Sequence, residues 1–140
     1  STAAEQTLEE VANRYISMYP IDNIDELTQF YTDETVWQDP RHLPGKKLVG
    51  RDEITKMMRE FAGDENVRAF SFEPSLDYIV GDTAIFKYKM GIEFRYDNKL
   101  FKTENVDGIA VVRIVDGKVL EHSDFTNINQ FNKNLKQLEE

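Results

Sequence analysis

An alternating pattern between Phe86 and Tyr96 constrains the fold of this chain most strongly. Apolar residues occupy every second position, and charged residues fill most of the positions between them. Side chains of a strand point alternately to its two faces, so a period of two predicts a strand with one buried face. The apolar set is Phe86, Tyr88, Met90, Ile92, Phe94 and Tyr96, and the charged set is Lys87, Lys89, Glu93 and Arg95.

Two turn signals extend this strand into a meander. Asp97-Asn98 is a plausible turn, and Asp116-Gly117 is the stronger signal, since both residues tolerate the positive φ angles of a type I′ hairpin. Lys99 to Val115 is apolar on both faces near its end, as expected of a central strand. Val119 to Phe125 is then the returning strand. Upstream, Val67 to Val80 is strand-like and is predicted to be interrupted at Pro74.

The N-terminal part is helical in pattern. An apolar stripe with steps of three and four residues runs from Leu8 to Tyr19 and ends at Pro20. Capping boxes are predicted at Thr2-Ala3-Ala4-Glu5, at Thr7-Leu8-Glu9-Glu10 and at Asn23-Ile24-Asp25-Glu26, the last of which begins a short second helix. A third helix follows Gly50-Arg51, with its apolar face formed by Ile54, Met57, Met58 and Phe61.

The remaining segments are one early strand, one loop and a tail. Thr35 to Asp39 is predicted to be a strand, and Pro40 to Val49 a loop, because it contains two prolines and a glycine. The polar tail from Thr126, which includes Leu135 and Leu138, is predicted to form a final short helix. Helices segregated from an antiparallel sheet indicate the α+β class, as one domain over residues 1–140.

Charge and composition exclude several classes of function. A formal net charge of -9 repels phosphate backbones and anionic lipids, so nucleic-acid and membrane binding are not expected. The chain has no cysteine, which excludes disulfides, a thiol nucleophile and cysteine metal sites. The longest apolar runs are too short to span a membrane, no signal-peptide pattern is present, and the cytoplasm is the default expectation.

Asp39 is the first candidate functional residue. It ends the early strand, two residues after Trp37, the only tryptophan of the chain. A carboxylate beside a large aromatic side chain, at the end of a half-buried strand, is typical of a pocket that raises the pKa of a catalytic base. The alternative is structural, since aspartate before proline commonly forms a turn, and here it precedes Pro40.

Three local motifs carry a resemblance to a known superfamily. They are Arg14-Tyr15, Val36-Trp37-Gln38-Asp39-Pro40, and the stretch from Asp116 to Asp124, DGKVLEHSD. With the order of elements, they resemble the NTF2-like superfamily, in its SnoaL-like polyketide cyclase and ketosteroid isomerase-like branch. The resemblance implies an α+β cone, with three N-terminal helices packed on a strongly curved antiparallel sheet. It also implies a homodimer formed through the sheet.

The ketosteroid isomerase branch implies roles for two residues. Asp39 matches the general base and Tyr15 the tyrosine of the oxyanion hole. The second oxyanion donor would fall near Ile109 or Ala110, neither of which has a side-chain donor, and Asp107 is out of register. This departure argues against steroid isomerisation. Tyr15 can equally be a core residue of the helix stripe.

The cyclase branch implies a second acid–base group at Asp124, with His122 two residues earlier on the same strand face. The alternative is that both residues lie at the solvated end of the last strand. The limonene epoxide hydrolase pattern is poorly matched, because Arg95-x-Asp97 runs into a turn. His42 is expected to lie at the surface or in a lid.

These residues lead to two hypotheses about function. The first is a cofactor-independent acid–base enzyme of the isomerase, cyclase or hydrolase type, which acts on a small apolar cyclic ligand. Its pocket would be lined by Trp37, Tyr19, Phe86 and Tyr88. The second is a non-catalytic binding or dimerisation module of the same fold. Asp39, His42, His122 and Asp124 are metal-ligand types without the spacing of a metal site, so no metal is expected.

Overall fold

The computed structural model describes residues 6–40 and 45–139. Within these residues the chain forms helices at its two ends and around residue 55, and a long run of strands between them. The helices are α1 (Leu8–Met18), α2 (Ile24–Leu27), α3 (Arg51–Ala62) and α4 (Ile128–Asn134), and a 3₁₀ turn (Thr28–Phe30) follows α2. The strands are β1 (Tyr31–Asp39), β2 (Lys46–Val49), β3 (Val67–Val80), β4 (Thr83–Tyr96), β5 (Lys99–Val115), β6 (Lys118–Thr126) and β7 (Lys136–Leu138).

The strands form one curved, unclosed sheet in the order β2-β1-β6-β5-β4-β3, with β7 paired to β5. The predicted α+β class and the meander from β3 to β6 are confirmed. The expectation of a purely antiparallel sheet is wrong in one place, because β1 and β6 pair in parallel. A parallel pair needs a long crossover connection, and here the whole chain from β2 to β5 provides it.

Both predicted hairpin turns are confirmed by their backbone angles. Asp97 and Asn98 have φ angles of 51° and 61°, and Asp116 and Gly117 have 51° and 75°. Positive φ at two successive turn residues matches the right-handed twist of the flanking strands, so these turns set the register of β4, β5 and β6.

The sheet is bent by irregularities in its long strands. The register of β3 against β4 shifts between Leu76 and Tyr78, and β5 has one extra residue near Asn105, whose φ is 57°. Bulges of this kind bend a strand. At the far edge of the curved sheet, Phe70 of β3 packs edge-on against Phe61 of α3, with ring centroids 5.0 Å apart. Helix α3 thus packs on the inner face at this edge of the sheet.

Several local predictions need correction. Residues 46–49 form strand β2 rather than part of a loop, because they pair with the last residues of β1. Pro74 does not interrupt β3, since β3 is the edge strand and its outer side needs no backbone donor. Asn23 has a φ of 48° and makes no side-chain cap bond, although α2 begins where predicted. The early strand begins at Tyr31 rather than Thr35.

The helices bury the faces that the sequence predicts. Thr7 caps α1 by accepting a hydrogen bond from the Glu10 amide at 3.1 Å, and the α1 stripe is buried. The proposed box at residues 2–5 lies outside the described residues. The short C-terminal helix is confirmed as α4, but Leu138 belongs to strand β7 instead. No helix in the described ranges is long and apolar enough to cross a membrane.

Candidate active site

The pairing of β1 with β6 brings the predicted site residues together. Trp37 is opposite His122, and Gln38 is opposite Ser123. The Gln38 side-chain amide donates a hydrogen bond of 2.9 Å to the Ser123 hydroxyl on the outer face. Side chains two positions apart in a strand point to the same face, so Asp39 lies on the inner face with Trp37, and Asp124 lies there with His122.

A chain of hydrogen bonds runs through the core from Tyr31 to Trp37. The hydroxyls of Tyr31 and Tyr15 are 2.8 Å apart, and the Tyr15 hydroxyl is 2.7 Å from Nδ1 of His122. Nε2 of His122 is 2.7 Å from Oδ1 of Asp124, whose Oδ2 accepts a hydrogen bond from Tyr19. The indole Nε1 of Trp37 donates to the Tyr19 hydroxyl at 2.9 Å.

The donors of this chain have a consistent direction. Trp37 can only donate, so the proton of Tyr19 goes to Asp124, which accepts it as a carboxylate. With His122 neutral and protonated at Nε2, that N–H also donates to Asp124, and Nδ1 accepts from Tyr15. Tyr15 in turn accepts from Tyr31. Two lines of donors therefore converge on the carboxylate of Asp124.

Burial makes this convergence significant. The His122 side chain is fully buried, and that of Asp124 is 12% exposed. The Tyr19 ring stacks on the His122 ring with centroids 4.2 Å apart. Buried polar groups are stable only when they are hydrogen-bonded, and here each group of the chain has a partner. Asp124 thus fixes the tautomer and the orientation of His122.

Tyr88 extends the inner face beside Asp124. Its hydroxyl is 2.6 Å from Oγ1 of Thr126, and its ring lies over Gly108 on the neighbouring strand. A Cβ added to Gly108 would be 2.1 Å from Cζ of Tyr88, so only glycine fits beneath the ring. Phe72 packs against Tyr88 with ring centroids 4.7 Å apart.

The four buried tyrosines have raised pKa values. Burial is the main cause in Tyr15, Tyr19, Tyr31 and Tyr88, and the negative charge of Asp124 acts in the same direction on each. The charge of Asp39 also contributes to the raised pKa of Tyr88. Both carboxylates therefore act on the same phenol, as expected if they face one region of the interior.

These shifts predict the behaviour of the protein at high pH. A tyrosine whose pKa is higher in the folded than in the unfolded protein makes its full contribution to stability below about pH 10. That contribution is lost as the pH rises further. Four of the six tyrosines are in this class. We expect at most two phenolates per chain before unfolding, and the other four to ionise only as the protein unfolds. Phenolate absorbance and circular dichroism, recorded together during an alkaline titration, measure both events. Ionisation of all six in the intact fold would contradict the structure.

All predicted site residues except His42 can be located. Trp37, Tyr19, Phe86 and Tyr88 are buried on or against the inner face, and Asp39 is half-buried at the end of β1. His42 lies outside the described residues. Among the described residues, no group of three or more histidine, cysteine, aspartate or glutamate side chains is placed to hold a metal ion.

Three contributions to the site were not predicted. Tyr31, at the start of β1, extends the hydrogen-bonded chain, and Tyr19 bonds directly to Asp124 rather than only forming a wall. Arg51 at the start of α3 donates from Nε and Nη2 to the carbonyl oxygen of Tyr31, at 2.9 and 2.6 Å. In the sequence, the only indication of a role for Tyr19 and Tyr31 was that they are aromatic. Their hydrogen-bond partners are distant in the chain, so no local pattern reveals them.

Comparison with known families identifies the domain. The model of the SnoaL-like domain matches residues 12–122, which is most of the chain. The chain belongs to the SnoaL-like domain family. No curated protein sequence matches it at a significant level.

Solved structures show the same fold at low sequence identity. A protein from Shewanella putrefaciens, named provisionally as a SnoaL-like polyketide cyclase, aligns with a TM-score of 0.76 and 14% identity, covering 94% of this chain and 97% of its own. A protein from Catenulispora acidiphila with a ketosteroid isomerase-like fold, in complex with trimethylamine, gives 0.69 and 16%, covering 91% and 93%. An LEH-like epoxide hydrolase from Mycobacterium tuberculosis gives 0.70 and 10%, covering 91% and 87%. These similarities establish the NTF2-like fold.

Proposed function

We propose that this SnoaL-like protein is a cofactor-independent acid–base enzyme of the isomerase, cyclase or hydrolase type. One observation carries the proposal: Asp39 and Asp124 lie on the same face of two neighbouring strands, beside a buried histidine and several aromatic side chains. Carboxylate pairs in partly apolar surroundings are suited to moving protons to and from a bound molecule. Trp37, Tyr19, Phe86 and Tyr88 would form the wall for a small, apolar, cyclic ligand.

Each acidic residue has its own role in this proposal. Asp39 is half-buried at the strand end and would abstract or shuttle the proton of the ligand. Asp124 is held by Tyr19 and His122, and the pair of Asp124 and His122 would act as the second acid–base group. Tyr15 would stabilise the developing oxyanion. Its proton is directed to Nδ1 of His122 here, so protonation of His122 would release that proton towards another acceptor.

A second candidate function is a non-catalytic module that binds a small molecule. It is favoured by the hydrogen bonds of Tyr15, whose single proton already has an acceptor in His122. It is also favoured by Ala110, which is paired with Asp124 at the position of the second oxyanion donor and has no donor to offer. In this case Asp39 is a structural residue before Pro40, and the aromatic wall binds without turnover.

The test of the enzyme proposal is proton exchange at carbon. Wild-type protein is incubated in heavy water with a panel of cyclic ketones and β-diketones, and deuterium incorporation is followed by NMR. We expect at least one ring compound to exchange faster with wild type than with Asp39→Asn/Asp124→Asn. Asp33→Asn is the matched control, because Asp33 is an exposed residue of the same strand β1. Equal rates for wild type and the double variant would overturn the proposal.

The outer face of the sheet suggests a homodimer. Ile109 and Phe125 are paired on neighbouring strands and are 43% and 42% exposed. We expect a dimer in sedimentation, and a monomer for Ile109→Asp/Phe125→Asp, because charges in an apolar interface are unpaired. Val49→Asp is the control at an exposed site on β2. A monomeric wild type at high protein concentration would exclude this interface.

A further inference from the structure

Helix α4 packs against strand β5, beyond the end of β6. Thr103 of β5 is paired with Ile92, which belongs to the inward-facing set of β4. The Thr103 side chain is fully buried, and its hydroxyl donates a hydrogen bond of 2.9 Å to the carbonyl oxygen of Phe131 in α4. Through this bond α4 reaches the inner side of β5 at Thr103. The chain enters α4 directly after Thr126, the partner of Tyr88.

The helix is attached mainly by polar contacts. None of its residues is buried, whereas α1 buries five residues. Gln130 accepts from the Asp107 amide at 2.6 Å and donates to the Asp107 carboxylate at 3.1 Å, and Asn134 donates to the carbonyl of Glu104 at 2.9 Å. These bonds are exposed to water. Elements with few buried contacts and exposed hydrogen bonds open at the lowest free energy.

Two half-buried apolar surfaces adjoin β5 at this place, one on the neighbouring strand β4 and one on α4. Beyond Tyr88, Thr103 and Val106 of β5 are fully buried, but the inward-facing aromatic and aliphatic residues around them are only partly buried; they are Phe70, Phe72, Met90, Ile92, Phe94 and Phe101. The less exposed edge of α4 presents Ile128 and Phe131, one turn apart and also partly buried. Phe72 contacts both Tyr88 and Tyr19, so this surface is continuous with the acid–base residues.

From these contacts we propose that α4 is a movable strap that closes on an apolar ligand, with Ile128 and Phe131 as ligand-contacting residues. The ligand enters when α4 separates from β5 and binds between α4 and the surface formed by Phe70, Phe72 and Met90. Closure buries apolar area of the ligand, the sheet and the strap together, which is the driving force for binding. The ligand class of this proposal is taken from the proposed function. The movement of α4 itself does not depend on any chemical step.

Binding of a neutral apolar probe tests the contact residues. N-phenyl-1-naphthylamine is titrated into the protein, and energy transfer from Trp37, the only tryptophan, reports its binding. Phe131→Ala is expected to weaken binding at least about tenfold, through loss of a buried aromatic contact. Val80→Ala is the control, since Val80 is 65% exposed at the end of the edge strand β3. Equal affinities of the two variants, or no binding to wild type, would overturn the strap.

Hydrogen exchange tests its movement. We expect the α4 amides of the free protein to exchange faster than those of α1, and to slow down when the probe is bound. Gln130→Ala, which removes the contacts to Asp107, should speed α4 exchange further, and Asn132→Ala, at an exposed position, should not. Alpha4 amides as protected as those of α1 would overturn the proposal.

These experiments separate the strap from the proposed function. If no ring compound exchanges its protons but the probe protects α4, the acid–base function fails and the strap stands. If ring compounds are turned over and α4 exchange is unaffected by ligand, the strap is wrong and the acid–base function stands.

Discussion

Replacing Asp124 with asparagine is expected to lower the free energy of unfolding by about 2–4 kcal/mol. The carboxylate accepts two buried hydrogen bonds, from His122 and from Tyr19. An amide has only one acceptor oxygen. If that oxygen accepts from His122, the proton of Tyr19 has no acceptor. If it accepts from Tyr19, the new NH2 group faces Nε2 of His122. Either the N–H stays on Nε2 without an acceptor, or His122 changes tautomer, which reverses the chain and leaves the Tyr31 hydroxyl proton without an acceptor among the described residues. Either arrangement leaves a buried donor unsatisfied.

Urea unfolding measures this loss, with Trp37 fluorescence and circular dichroism as two independent probes. Asp82→Asn is the control, because it breaks a hydrogen-bonded pair with Arg113 at the surface, and exposed ion pairs contribute little. Both variants replace aspartate with asparagine, one at a buried position and the other at the surface. A loss for Asp124→Asn no larger than that for Asp82→Asn would show that the carboxylate does not hold the buried chain together.

Local patterns predicted most of the fold because they record local physics. The alternation in β4 follows from the geometry of a single strand, and the two hairpin turns follow from the backbone preferences of Asp97, Asn98, Asp116 and Gly117. These signals need no knowledge of distant residues. With the helix stripe and its caps, local signals were sufficient for the α+β class, for the meander, for the ends of α1 and for the start of α3.

Predictions failed where a distant partner decides the structure. Residues 46–49 have no strand pattern of their own and become β2 because β1 offers its free edge. Pro74 interrupts a strand in general, but β3 has a neighbour on one side only. The parallel pairing of β1 with β6 joins residues that are more than eighty positions apart, and no local signal encodes it.

The candidate site shows the same division. Trp37 with Asp39, and His122 with Asp124, are each two positions apart, so their common face could be predicted within each strand. That the two strands are neighbours could be inferred only from the family resemblance. The hydroxyls of Tyr19 and Tyr31 point at partners from other elements, so their part in the hydrogen-bonded chain depends on the assembled core.

Replacing Asp39 with asparagine is expected to slow proton exchange of a ring ketone by about 10²–10⁴-fold, the usual contribution of a positioned general base. Asparagine has the size of aspartate but cannot take up a proton at neutral pH. The aromatic wall formed by Trp37, Tyr19 and Tyr88 is unchanged by the substitution. The rate and the affinity should therefore separate: exchange is lost, while the dissociation constant stays within about threefold of the wild-type value.

That separation tests the acid–base assignment most directly. With the ring ketone that exchanges fastest, the exchange rate is measured by NMR in heavy water and the dissociation constant by Trp37 fluorescence, for wild type, Asp39→Asn and the Asp33→Asn control. The enzyme proposal predicts a large loss of rate with retained affinity in Asp39→Asn alone. Retained exchange in Asp39→Asn, or a ketone that binds without exchange even to the wild type, would contradict it and favour the binding module.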